Sequence, residues 1–312
     1  MPWKEGYTIS DEKSLPDASI RWPGGARCCV KIVVNLSVAT GPAGIRPADL
    51  DSSDAYFTLA EGLESLLACL AQHSFAATFA VPAVVAQAYP EKIRKILSAG
   101  HEIAAQGLAH EDVSTLARPE EQARLQQATH ILADVTGVRP AGWFALPRPG
   151  DAFAVGTISD STMELLIDEG YTYMGNSPAD DIPHYWVVDF ERRKNILALP
   201  YYYHFDDQFF MMYPSRGSGL ENPDFLARNW HHEFAAQHER GRYFEMTIHP
   251  KNSGWLHRLR MLDRFLAHVR TVGDVWNPTS QACADYWLRS YPAATTLQLE
   301  DSIWQDHAGS LS

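Results

Sequence analysis

The chain has 312 residues, 46% of them hydrophobic, and a formal net charge of −12 with histidine neutral. That size and apolar content suit a large α/β unit with a full core, while an acidic balance with no basic block argues against nucleic-acid or anionic-membrane partners. The opening Met1-Pro-Trp-Lys-Glu-Gly-Tyr7 has no apolar signal-peptide core, and no run approaches the ~20 apolar residues of a membrane helix. The expectation is therefore a cytoplasmic, soluble protein. Cys28, Cys29, Cys69 and Cys283 form no CxxC pair and read as buried free thiols, not a zinc knuckle.

Residues 1–26 are polar and punctuated by Pro and Gly, which predicts an N-terminal arm. Cys28 to Asn35 is a continuous β-rich run and predicts a strand buried on both faces, as in a parallel sheet. Leu59, Leu63, Leu66, Leu67 and Leu70 fall at helical spacing. Ala76–Val81 predicts the next strand. A helix from Pro82 to Ser98 follows, interrupted near Tyr89-Pro90 and stopped by Gly100. The stretch to Asp112 begins as a third strand and ends in a polar loop with Gln106, His110, Glu111 and Asp112.

The alternation continues with a helix ending at Gly137, a short strand at Ala141–Ala145, a helix closed by Gly170 and a strand at Tyr171–Asn176. Trp186–Phe190 and Ile196–Tyr203 read as a pair around a charged turn. A helix from Pro223 to Arg240 precedes a strand, Tyr243–His249. Gly254–Thr271 is helical, with Leu256, Leu259, Leu262, Phe265, Leu266 and Val269 on one side. A strand near Val275-Trp276 and a helix from Ser280 to Ser290 complete the pattern, and residues 292–312 form a tail. Repeated β-then-α units imply a parallel sheet flanked by helices, with chemistry at the strand C-termini. The whole of residues 27–291 is read as a single domain.

Those strand ends collect the chain's polar groups. They comprise Asn35, Ser37 and Thr40; Gln106, His110, Glu111 and Asp112; Trp143, Phe144 and Arg148; Asn176, Asp180, Asp181 and His184; Tyr201, Tyr202, Tyr203, His204, Asp206 and Asp207; and His249 with Lys251. Each has an ordinary alternative: Asp180-Asp181-Ile-Pro as turn chemistry, Tyr201–Tyr203 as sheet packing. Together they predict a pocket.

Gly100-His-Glu-Ile-Ala-Ala-Gln-Gly-Leu-Ala-His110 resembles the polysaccharide deacetylase superfamily, the NodB-homology or carbohydrate esterase 4-like group. Further pieces agree in order: Arg21–Arg27, Ala77–Val81, Arg139–Trp143, Ala179–Pro183, Leu199-Pro200 with Phe205-Asp-Asp207, and Thr247-Ile-His-Pro250. Several are similar to the allantoinase-like and cyclic-imide-hydrolase-like branch. The resemblance implies a deformed (β/α) barrel of about seven parallel strands, and a homo-oligomer, dimer or tetramer.

Departures from the family pattern shape the functional expectation. Ser37 and Val38 occupy the place of paired aspartates that serve metal-dependent deacetylases as base and ligand. Gln106 and His110 occupy the place of two histidines, and Phe144 that of an arginine. Only His110 of three implied metal ligands remains, so no cofactor is expected, and a zinc-like divalent metal would need a site rebuilt from His110, Glu111, Asp206 or Asp207. The expected activity is hydrolysis of a C–N bond in a small amide, cyclic imide or ureide. His249 is read as general acid or base, His110 as the group that orients water, and Gln106 as a donor to the developing oxyanion. Trp143, Arg148, Asp180, Asp181, Tyr201, Tyr203, Asp206 and Asp207 are the candidate substrate-binding residues, with the aspartates alternatively orienting a histidine. The alternatives are a metal-dependent N-deacetylase of an acetylated sugar and a non-catalytic ligand-binding pseudoenzyme.

Overall fold

A computed structural model describes residues 15–39, 41, 43–145, 158–177, 180–189, 192–208 and 222–296. Nine strands are present among them: β1 Cys28–Asn35, β2 Thr78–Val81, β3 Glu102–Ala105, β4 Gly142–Trp143, β5 Tyr173–Ser177, β6 His184–Asp189, β7 Lys194–Pro200, β8 Tyr243–Ile248 and β9 Val275–Trp276. Their order is β6-β7-β5-β4-β3-β2-β1-β8, with β9 also pairing β1. Every pairing is parallel except β6 with β7, which form the hairpin around the charged turn. Seven parallel strands thus run in sequence from β7 to β8. A single parallel bridge, Asp206 to Thr247, brings the chain after β7 against β8 and draws the sheet toward closure. This is the deformed barrel that the resemblance implies.

Side chains alternate across each strand, and here the inward set includes a buried polar network. Lys31 of β1 pairs with Glu245 of β8 at 3.2 Å, and Tyr243 donates to the same carboxylate. Thr78 and Tyr173 both donate to Glu102. Backbone N–H groups at the start of helix Ser280–Ser290 donate to Thr78 and Glu102. A helix N-terminus carries positive partial charge, so it suits the Glu102 carboxylate. The outward set is apolar: Val30, Ile32 and Val34 are buried, as are Phe244, Met246 and Ile248, beneath helices such as Pro223–Arg240 and Leu256–Val272.

The predicted helix from Pro82 to Ser98 breaks at Tyr89, giving Ala83–Ala88 and Pro90–Ser98, as the Pro requires. Leu256, expected on the buried side of its helix, is 80% exposed at the first helical position, while Met261, Leu262, Phe265, Leu266 and Val269 are buried. In the arm, Trp22 packs against Trp276, Tyr286 and Trp287. All four cysteines are free and buried. No helix among the described residues is long and apolar enough to cross a membrane.

Two glycines fix the surroundings of the last strand's exit. A Cβ on Gly62 would lie 2.4 Å from the Pro250 carbonyl oxygen, and one on Gly254 would lie 2.3 Å from it. Only hydrogen fits there. The helix Leu63–His73 is thereby held against the turn Pro250–Ser253 that follows His249.

Candidate active site

The first histidine of the rim is strained into place. His110 has φ +59°, a conformation that costs free energy in a non-glycine residue and concentrates at functional sites. Its Nδ1 lies 2.7 Å from Ser37 Oγ. Ser37 in turn donates its hydroxyl proton to the Ala39 carbonyl at 2.5 Å. The hydroxyl has a single proton, so Ser37 accepts from Nδ1–H, and the proton-free nitrogen of His110 is Nε2. That Nε2 is buried and has no hydrogen-bond partner among the described residues. Burial, with the positive fields of Lys251 and His249 adding to it, pushes the His110 pKa down to about 3. His110 is therefore a neutral hydrogen-bond acceptor near pH 7.

The second histidine is held differently. His249 immediately follows β8, and its Nδ1 lies 2.7 Å from Asp207 Oδ1. Asp207 also accepts from the His249 backbone N–H at 2.9 Å, from Ser253 Oγ at 2.5 Å and from Asn252 Nδ2 at 3.3 Å. With four donors its lone pairs are used, so Asp207 orients His249 and is not free for substrate. This corrects its reading as a substrate-binding residue in favour of the orienting alternative. His249 Nε2, like that of His110, is buried without a partner among the described residues.

Asp206 lies beside this pair, its Oδ1 3.6 Å from His249 Nδ1. It accepts from Tyr201 OH at 2.7 Å and from the Gln208 backbone at 2.8 Å. Burial pushes its pKa up to about 6, with Asp207 adding and His249 opposing. Tyr201 is buried, with its hydroxyl committed to Asp206. Gln106 follows β3, is 3% exposed, and its Oε1 is buried without a partner among the described residues. Lys251 adds the cation on this side; burial lowers its pKa, while Asp207, Asp206 and Asp54 oppose that shift.

Three expected residues sit elsewhere. Part of the segment between β5 and β6 lies beside the residues that precede β8. Asp180 and Asp181 are there, paired with Arg242 and Arg240 at 3.2 and 3.1 Å and bonded by Tyr202 OH. Arg242 and Arg240 also grip Asp17, so the structure places the two aspartates in the ion-pair network that fastens the arm, not beside the two histidines. Trp143 is corrected as well. It lines a small void between Leu125, Thr162 and Leu166 of the outer helices and Gly107, Leu108 and Glu111 of the loop after β3, while its neighbour Phe144 packs over Gly175 and against Tyr173. On a strand, adjacent side chains take opposite faces. Arg148 and the Tyr203 side chain lie outside the described residues.

Glu111 accepts from the Ala109 N–H at 2.6 Å and faces Arg124 at 3.7 Å, so it stabilises the His110 loop. The donor set can be tested against the family's metal. Ser37 Oγ is committed to His110 and Ala39, Val38 has no lone pair, and Gln106 offers only a neutral amide oxygen. Asp206, Asp207 and His249 place ligand atoms close together, but an ion between Asp207 Oδ1 and His249 Nδ1 would have to displace the His249 proton and compete with the His249 and Asn252 hydrogen bonds to that oxygen. The residues present do not fit a tightly bound divalent ion. Sequence reasoning missed the Ser37–His110 bond and the Asn252–Ser253 cradle. The local signal for the cradle was His-Pro-Lys-Asn-Ser, a Pro-initiated turn that aims the Ser and Asn back at the preceding strand.

The geometry is accompanied by relatives. A polysaccharide deacetylase family model matches residues 51–174. The chain is 25% identical over 268 residues to a peptidoglycan deacetylase of Helicobacter pylori, covering 78% of this chain and 89% of the relative. A solved structure of a Mycobacterium smegmatis protein assigned as a polysaccharide deacetylase superposes with TM-score 0.76 at 27% identity, covering 93% and 98% of the two chains. The structure of PuuE allantoinase superposes with TM-score 0.77 at 21% identity, covering 93% and 99%.

Proposed function

This chain belongs to the polysaccharide deacetylase superfamily, and from that premise we propose that it hydrolyses a C–N bond of a small amide, cyclic imide or ureide without the deacetylase metal. The observation that carries the reading is the pair of imidazoles, each with Nδ1 tied down and Nε2 left buried and unpaired, at strand ends without anionic metal ligands in the family positions. Amide hydrolysis needs a proton acceptor for water, a donor for the leaving nitrogen and a stabiliser of the oxyanion. His249 takes the water proton at Nε2 and returns it to the leaving nitrogen, while Asp207 holds the ring in the required tautomer. His110, a weak base, accepts a hydrogen bond at Nε2 from the attacking water or a substrate N–H. The Gln106 amide and the Lys251 ammonium supply donors to the oxygen on which charge develops.

The identity to a peptidoglycan deacetylase favours a second reading, removal of an acetyl group from an amino sugar, which also breaks an amide bond. A panel of cyclic imides, ureides and N-acetylated sugars, assayed before and after exhaustive chelation, separates the two. Ring opening that survives chelation is the expected result. Turnover of acetylated sugars alone, lost on chelation and restored by zinc, would establish the second reading in place of the first.

The site also sets a pH dependence of stability. An unfolded histidine protonates as pH falls through 6.5, but folded His110 stays neutral to about 3. Unfolding takes up a proton in that window, so acidification destabilises by up to ~1.4 kcal/mol per pH unit from this group. Asp206 acts oppositely: raised from 3.8 to about 6, it stabilises the fold at low pH and loses that contribution as pH rises through 6. Between pH 6 and 4 the two offset. Denaturant midpoints across this range should fall more steeply with acidification in Asp206→Asn, and less steeply in His110→Gln, than in the parent.

A further inference from the structure

A second group of ligand-type side chains lies on the outer layer, away from the barrel mouth. Cys69 and His73 are four residues apart on helix Leu63–His73 and so share one face. Asp263, on helix Leu256–Val272, faces them. The thiol sulfur, an imidazole nitrogen and a carboxylate oxygen all lie within 4.8 Å of one another. His73 Nε2 is 2.7 Å from Asp263 Oδ1, and Gln72 donates to the same oxygen at 3.1 Å.

We propose that Cys69, His73 and Asp263 form a zinc site that joins the two helices, with water as fourth ligand. An interhelical clasp needs only the His–Asp contact. The buried thiol placed on the same point is what a metal requires beyond it. Sulfur, imidazole nitrogen and one carboxylate oxygen together suit zinc better than calcium or magnesium, which take all-oxygen shells. The site also differs from the mouth of the barrel, where Asp207 is locked by four donors. Here the Asp263 side chain is 41% exposed, so a small rotation admits the ion and its open side admits water. Binding replaces the thiol proton, releasing it to solvent, as the metal takes the thiolate. Gly62, immediately before helix Leu63–His73, and Gly254, shortly before helix Leu256–Val272, both press on Pro250 in the turn after His249. A bound ion would therefore stiffen the support of the active-site histidine without entering the site.

Titration of the chelator-treated full chain with Co²⁺ tests this. The expected result is one equivalent bound, with a near-ultraviolet thiolate-to-cobalt charge-transfer band. The band should vanish in Cys69→Ser, and affinity should fall at least about tenfold in His73→Gln, a partly exposed position that spares the core. His110→Ala should leave band and affinity intact. Folding of each variant is checked by circular dichroism. Absence of the band in the folded parent, its persistence in Cys69→Ser, or its loss in His110→Ala would overturn the assignment.

Discussion

Replacing His249 by Ala is expected to lower turnover by about 10²–10⁴-fold, the usual contribution of a general acid–base group. Asp207→Asn should approach the same loss although it adds no volume. An asparagine that offers its NH2 toward Nδ1 would impose the opposite tautomer, and one that offers its oxygen would remove the charge that balances the imidazolium. The kinetic signature distinguishes this role from substrate binding. Asp207 is saturated by the His249 N–H, Nδ1, Asn252 and Ser253, so its loss should appear in kcat with KM nearly unchanged. His110→Ala should also reduce kcat. Because His110 is neutral down to about pH 3, the parent's acidic limb above pH 4 should not come from its protonation. Steady-state kinetics on the substrate identified by the panel would check these points. Unchanged turnover in both histidine variants, with folding intact, would remove the acid–base assignment altogether.

What the sequence disclosed about this site, and what it withheld, follows from the range of each signal. Helical periodicity and Gly or Pro punctuation are local, and Pro90, Gly100 and Gly137 act where expected. Strand exits are also local, so the grouping of Ser37, Gln106, His110 and His249 at one rim was legible once a parallel sheet was inferred. The error with Asp180 and Asp181 is non-local. They follow a strand C-terminus, yet in the fold they pair with Arg240 and Arg242, 59 and 62 positions away, just before β8. No short-range pattern encodes that offset. Trp143 failed for another reason: β4 spans two residues, too few for alternation to declare which face is inward. Ser37 was legible only as a missing ligand. Its acquired task, holding His110 Nδ1, depends on a contact across 73 positions.

The other large effect is expected in the barrel interior, where the run Cys28–Asn35 was read as buried on both faces but the inward polarity was not foreseen. Lys31 is fully buried and pairs with Glu245, whose side chain is 2% exposed. Lys31 also donates to Ser280, and Tyr243 OH donates to Glu245 at 2.6 Å. Lys31→Met removes the cation but leaves the carboxylate in a medium that cannot solvate it. Breaking such a pair costs about 3–5 kcal/mol, a large part of a typical folding free energy. The loss should depend on pH in a set direction. Burial already raises the Glu245 pKa, and Lys31 is the largest opposing influence. Without Lys31 the folded carboxyl holds its proton more firmly than the unfolded one, so stability is retained in acid and lost as pH rises through the folded value. Denaturant midpoints should therefore separate parent and Lys31→Met more at pH 8 than at pH 5. The double variant Lys31→Met with Glu245→Leu should recover part of the loss, because the apolar pair needs no hydration while the Tyr243 hydroxyl loses its acceptor. If the single variant proves as stable as the parent at pH 8, the ion pair is not what holds β1 to β8, and the backbone ladder of six paired residues from Cys29–Tyr243 to Val34–Ile248 would carry that junction alone.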